Sequence, residues 1–184
     1  MQQRRVHGLT VMLIVLVVAA CGAGAPTVAP TPASASFEDY ETGVCSAFGA
    51  MLRAVGNLDA GTPSVLSKAL DDAVAAGDVA ASDGAAAKVT SELETGRQQA
   101  AAAGRWPAAQ PTMAAMDTLF VALEAMTTAK LAAVRHTPGA VAPQSAFEQA
   151  GGVQAYAAMV QGISTMQPPA GASPKPCPAF SGTP

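Results

Sequence analysis

Residues 112–134 read TMAAMDTLFVALEAMTTAKLAAV, and this stretch decides the fold class. Met113, Met116, Leu119, Phe120, Leu123, Met126, Leu131 and Val134 recur every three or four positions, the period that places side chains on one side of a helix. It is the most apolar helix of the chain, ends by Pro138-Gly139 and is expected in the middle of a bundle. Upstream, Phe37, Tyr40, Val44, Phe48, Met51, Leu52 and Val55 repeat the pattern, with Gly56 as the stop. Thr62-Pro63 reads as an N-cap followed by proline at the first helical position, and Val65, Leu66, Ala69, Leu70, Ala73 and Val74 carry a second helix to Gly77. Asp78 is placed to cap a third, whose narrow stripe runs Val79, Ala86, Val89, Leu93 and Ala100 as far as Gly104. Gly84 and Gly96 inside it each cost about 1 kcal/mol relative to alanine.

A fifth stripe, Val153, Tyr156, Met159, Val160, Ile163 and Met166, follows a capping-box pattern at Ser145-Ala146-Phe147-Glu148, with Gly151-Gly152 placed to break or delay its first turn. No segment alternates with period two, so no sheet is expected. The sequence predicts an all-α fold, a helical bundle of four principal helices plus a shorter one over residues 37–167.

The chain of 184 residues is 50% hydrophobic, 12% charged and 4% aromatic. Because 43 of the apolar residues are alanine, large core side chains are fewer than that percentage suggests, and the alanine faces allow helices to approach closely. The formal net charge is -3, with no basic stripe to neutralise phosphates, so a nucleic-acid partner is not expected. The scarcity of Asn and Ile beside abundant Ala, Gly and Pro suits a bacterium with a GC-rich genome.

The first eight residues carry Arg4, Arg5 and His7, and residues 9–18 are apolar except for Thr10. This is the order of a secretory signal, and a run of about a dozen residues falls short of the roughly 20 needed to span a bilayer. It closes on Val18-Ala19-Ala20-Cys21, which resembles the lipobox of bacterial lipoproteins, with Val18 where leucine is commoner. The resemblance covers residues 1–21 alone. It implies cleavage before Cys21, acylation of the Cys21 thiol and of the new amino terminus, and residence on the extracytoplasmic face of the cell membrane. Arg4-Arg5 also raises twin-arginine export, but nothing else around the pair matches that signal. Removing residues 1–20 would leave eight basic against thirteen acidic groups. Residues 21–36, with Pro26, Pro30 and Pro32 and no charge, read as a lipidated cysteine and a disordered linker; residues 168–184 form a second proline-rich segment.

With Cys21 taken by lipid, Cys45 and Cys177 remain, an even number in an exported chain, and a disulfide strapping the tail to the first helix is the natural pairing. Such a bond closes a loop of about 130 residues, for which chain entropy estimates roughly 4 to 5 kcal/mol.

Other chemistry is sparse in the sequence. Beyond residue 20 there is one histidine, His136, at the expected end of the fourth helix, where a cation near a helix C-terminus is its simplest role. Met51, Met113, Met116, Met126, Met159 and Met166 all fall on apolar stripes. Met113 and Met116 with His136 admit a soft-metal or haem reading, but core packing accounts for them more simply. Trp106, the one tryptophan, is expected to cover an end of the bundle or anchor a ligand. Asp117 and Glu124, seven apart, share a helix face where they either act as a carboxylate pair or meet Lys88, Arg97 or Arg105 in salt bridges. Without a catalytic triad, a Gly-x-Ser-x-Gly turn or a Glu-x-x-His pair, no enzyme and no cofactor are expected. The leading expectation is a lipid-anchored interaction or scaffold module with an envelope protein partner. The alternative is an envelope protein that binds a small apolar molecule, haem or metal, with Trp106, Glu124 and His136 as its weak site candidates.

Overall fold

Ser36 starts the first helix by a reciprocal cap. Its Oγ accepts the Asp39 backbone N–H at 3.1 Å while the Asp39 carboxylate accepts the Ser36 N–H at 3.0 Å and the Ser36 hydroxyl at 2.8 Å, and the two bonds that the carboxylate accepts hold it below its ordinary pKa. The structure, a computed structural model, describes residues 36–103, 106–172 and 177. The expected signal segment 1–20, Cys21, the expected linker to 35, Gly104, Arg105 and tail positions 173–176 and 178–184 lie outside the described residues.

From that cap α1 runs Phe37–Val55, and it is followed by α2 (Val65–Ala75), α3 (Val79–Ala103), a 3-10 turn (Pro107–Ala109), α4 (Gln110–Val134), α5 (Pro143–Gln149) and α6 (Gly152–Thr165). The fold is an all-α helical bundle. Two-residue strands β1 (Gly56–Asn57) and β2 (Thr62–Pro63) pair antiparallel between α1 and α2, so the expectation of no sheet is corrected at this one ladder. Its cause is local. Gly56 takes φ +96°, and a Cβ there would lie 2.1 Å from the Thr62 carbonyl oxygen, so glycine lets the two backbones meet. Asn57 Oδ1 accepts the Ala60 N–H at 3.0 Å and closes the turn.

The ladder also displaces the predicted cap of α2. Thr62 is spent in the strand, and Ser64 caps instead, its Oγ accepting the Ser67 N–H at 3.0 Å and donating to the Ala54 carbonyl at 2.8 Å. One hydroxyl thereby starts α2 and fastens it to the end of α1. Asp78 does cap α3, through Oδ1 and the Ala81 N–H at 2.9 Å. Val79, assigned to the α3 stripe, is 40% exposed; Ser82 holds the buried position, bonded to the Asp78 carbonyl.

The fifth predicted helix is two. Pro143 at the first position of α5 and Gly151 at φ +80° bracket a short helix, so Ser145 lies inside α5 and caps nothing. Glu148 Oε1 accepts from Gln144 Nε2 rather than reaching back to a cap. The Phe147 ring then fills the space a Cβ on Gly152 would need, 2.3 Å from that position, and folds α5 back onto α6.

α4 packs against α2, α3, α5 and α6, and α3 against α1, α2 and α4. Between them lie Leu93, Met116, Leu119, Phe120 and Leu123, essentially without solvent exposure, each contributing about 1.5–3 kcal/mol by burial. Phe120 reaches α3 because Gly96 has no side chain: a Cβ there would sit 2.5 Å from Phe120 Cζ and 3.3 Å from the Ala47 carbonyl oxygen of α1. Gly43 of α1 meets Ala103 just as closely, at 2.4 Å from Cβ to Cβ. Gly84, by contrast, has open space around it. Gly96→Ala should therefore destabilise the protein by about 1–3 kcal/mol, whereas Gly84→Ala should stabilise it by about 0.5–1 kcal/mol, both read as urea unfolding midpoints.

Candidate functional site

Arg97 of α3 faces α4 and gathers the carboxylates that the sequence placed on one side of that helix. Its Nε lies 3.0 Å from Asp117 Oδ1, and its Nη1 lies 3.7 Å from Glu94 and 3.8 Å from Glu124. Asp117 is thus engaged in a direct charge-assisted hydrogen bond, while Glu124 stands slightly off the guanidinium in a drier place. Burial pushes the Glu124 carboxyl above its ordinary pKa, with Arg97 opposing the shift and Glu94 and Asp117 adding to it. The arrangement holds three carboxylates around one cation. Related pairs join α1 to α3 (Arg53 to Glu92, 3.0 Å), α2 to α4 (Asp71 to Lys130) and α3 to α4 (Asp83 to Arg135). Exposed pairs of this kind contribute about 0–1 kcal/mol each, so they set helix register more than stability.

Trp106 sits in the turn between α3 and α4, partly buried, with ring centroids 5.3 Å from Phe37 and 5.2 Å from Tyr40. These three rings cover the end of the bundle at which α1 begins. The Tyr40 hydroxyl is buried there without a hydrogen-bond partner, and burial pushes its pKa up to about 12. Gln99 Oε1 on α3 is likewise buried and unpartnered. His136 lies past the far end of α4, exposed, at φ +51°, the one non-glycine residue with positive φ among those described. Its N–H donates to the Ala133 carbonyl at 3.1 Å, so its backbone terminates the helix.

The three site candidates consequently lie apart, Glu124 on α4, Trp106 before its start and His136 past its end. α4 has 25 residues and is about 37 Å long, so Trp106 and His136 stand at opposite ends with Glu124 between them. Met113 and Met116 are buried near the Trp106 end, far from His136, and serve the core. Among the described residues, no group of three or more His, Cys, Asp or Glu side chains is placed to hold a metal ion.

Cys45 on α1 is bonded to Cys177, their Cα atoms 5.5 Å apart. After α6 the chain leaves in an extended conformation at Met166 and turns at Pro169–Ala172, where the Ala172 N–H donates to the Pro169 carbonyl at 2.9 Å and Gly171 adopts φ +87°. Since α1 packs mainly on α3 and α6 on α4, the bond ties together sides of the bundle that share little direct packing.

Sequence reading missed the orphaned Tyr40 hydroxyl, for which it holds no signal, and the Ser36 cap, which the Ser-x-x-Asp spacing does signal. No family model matches the chain, nor does any curated protein or solved structure.

Two measurements probe these features. A carboxyl with a raised folded pKa holds its proton more tightly folded than unfolded, so stability falls as pH rises from the ordinary glutamate pKa to the raised folded one; Glu124→Gln should remove that decline from the stability profile. Cys177→Ala should lower the thermal midpoint by roughly 10 °C or more, since the bond spans 132 residues and the loop-closure estimate is about 4–5 kcal/mol.

Proposed function

We propose that the protein is an exported lipoprotein, cleaved before Cys21 and anchored there to the extracytoplasmic face of a cell membrane, whose helical domain is a non-enzymatic interaction or scaffold module for an envelope partner. The observation that carries this reading is the use of the three cysteines. Cys45 and Cys177 are bonded to each other, a pairing that persists in oxidising compartments, and the one left over stands at the end of an apolar leader, directly after Ala19-Ala20.

Among the described residues, no helix is long and apolar enough to cross a membrane, and in this reading attachment falls to the acyl chains. Each buried methylene contributes about 0.8 kcal/mol, so two or more chains hold the protein durably. The linker to residue 36 reaches on the order of 45 Å if fully extended, which lets the domain stand off the bilayer. The use of polar groups supports a binding role over catalysis. Asp117, Arg97, Glu92 and Arg53 are occupied in ion pairs between helices, Ser36, Ser64 and Asp78 in caps, and His136 ends a helix.

In the native host, Cys21→Ala should move the protein out of the membrane fraction, and intact mass of the wild type should match a chain starting at Cys21 with two or three acyl groups. A wild-type protein recovered from the cytosol with residues 1–20 attached and a free Cys21 thiol would overturn the reading.

A further inference from the structure

Helices α5 and α6 are the least buried pair of the bundle. The 25 residues of α4 include ten buried ones and the 25 of α3 include seven, whereas α5 buries none of its 7 and α6, with 14, buries Gly152, Ala155 and Met159. Elements with so few buried side chains open at lower free energy than the core they cover. Charge does not hold them either. Among the described residues, the ion pairs that cross between helices join α1 to α3, α2 to α4 and α3 to α4. α6 has no charged residue, and the Glu148 carboxylate of α5 accepts from Gln144 in its own helix. A polar contact on α6 is that of the Tyr156 hydroxyl with Asp59, in the turn between β1 and β2.

The pair lies against α4. Gly162 lets α6 close onto Thr112, whose Oγ1 would be 2.3 Å from a Cβ at that glycine, so the end of α6 stands beside the start of α4. The two connections of the pair to the rest of the protein differ in kind. Residues 135–142, which lead from the end of α4 into α5, are exposed throughout and hold His136 at φ +51°, Pro138, and Gly139 at φ +75°. Arg135 is fixed to Asp83 of α3 and Pro143 starts α5, so a change of direction is confined to the residues between them. At the other end the chain leaves α6 extended at Met166 and is fastened at Cys177 to Cys45 of α1, a helix that packs chiefly on α3. Both cysteines are only partly buried, which leaves their bond open to attack by a thiolate. An exposed turn at one end and a covalent tie at the other are the parts of a hinge and a latch.

We infer that the α5–α6 pair is a lid on α4, hinged at residues 135–142 and latched by the Cys45–Cys177 bond, which a dithiol reductant releases while α1 to α4 stay packed. One thiolate of the dithiol attacks a sulfur of the bond, giving a mixed disulfide and a protein thiolate that takes up a proton. The second thiolate then displaces the other protein cysteine, so the bond gains two electrons and two protons and the dithiol becomes a cyclic disulfide. While the bond stands, a lifted lid is a loop closed at both ends, and closing it costs chain entropy; once the bond is cut, one end is free and opening becomes more frequent. Opening bares Ala155 and Met159 of the lid and Thr112 beneath it, all buried when it is shut. The latch needs only Cys45 and Cys177 and works whatever happens at Cys21.

Amide hydrogen exchange of the full chain, followed by mass spectrometry with and without dithiothreitol, tests the lid. Reduction should speed the exchange of residues 143–165 by roughly tenfold or more, because it frees one end of the opened loop. In the reduced protein, after correction for intrinsic rates, residues 86–100 of α3 should still exchange about tenfold or more slowly than those of α6. The double variant Cys45→Ser/Cys177→Ser should behave without reductant as the reduced wild type does. Tyr156→Phe in the bonded protein should speed the exchange of residues 143–165 by clearly less than reduction does. Exchange of residues 143–165 that is indifferent to reduction overturns the inference. So does an α3 that exchanges as fast as α6 once the bond is cut, since the bond then holds the bundle as one unit. A Tyr156→Phe protein that opens as far as the reduced one overturns it as well, because the latch is then the contact with Asp59.

Discussion

The bundle depends on the close approach of α1, α3 and α4 around the Phe120 ring. Where Phe120 points into α3, residue 96 has no side chain, and the Ala47 carbonyl of α1 lies just beyond. Gly96 is unfavourable for the helix that contains it and indispensable for the helices that pack on it. The local cost is about 1 kcal/mol; the burial of Phe120, Leu93, Leu119 and Leu123 that it permits contributes more than that several times over. Gly43 against Ala103 repeats the device one level along the same pair of helices. A chain with so many alanines builds a close-packed interior by bringing backbones together rather than by filling a wide space with large side chains.

Around this core the polar residues act as guides. Arg97 collects Asp117, Glu94 and Glu124 at the α3–α4 seam, and the remaining interhelical pairs mark the registers of α1 with α3 and α2 with α4. Their individual energies are small, but each becomes mispaired if a helix slips by a turn. The Cys45–Cys177 bond acts on a longer scale, since it restrains an unfolded chain over 132 residues and joins α1 to the segment leaving α6. At the α1 end, Trp106 closes over Tyr40 and Phe37 and leaves one hydroxyl buried without a partner.

Much of the helical pattern was legible because burial on one face imposes a period on the sequence. Phe37 and Val55 bound α1 both in the apolar repeat and in the structure, and Asp78 caps α3 at its expected place. The misreadings share a cause. Thr62 and Ser64 are both competent caps by chemistry, and the choice fell to Ser64 because Gly56 draws Thr62 into a ladder with the end of α1. Ser145 and Glu148 have capping-box spacing, but Pro143 had already started the helix two residues earlier. Of the site candidates, the charge pairing of Glu124 and Asp117 was open among three cations, and it is Arg97, facing them across the α3–α4 contact, that both carboxylates meet.

By itself the sequence determined the class of fold and the approximate reach of most helices, because periodicity, caps and composition act over a few residues at a time. Tertiary structure decided which glycines are contacts and which have open space around them, and which of three cations Asp117 and Glu124 meet. Those outcomes depend on distances between residues far apart in the chain, and such distances are set by how the helices pack and not by any local pattern.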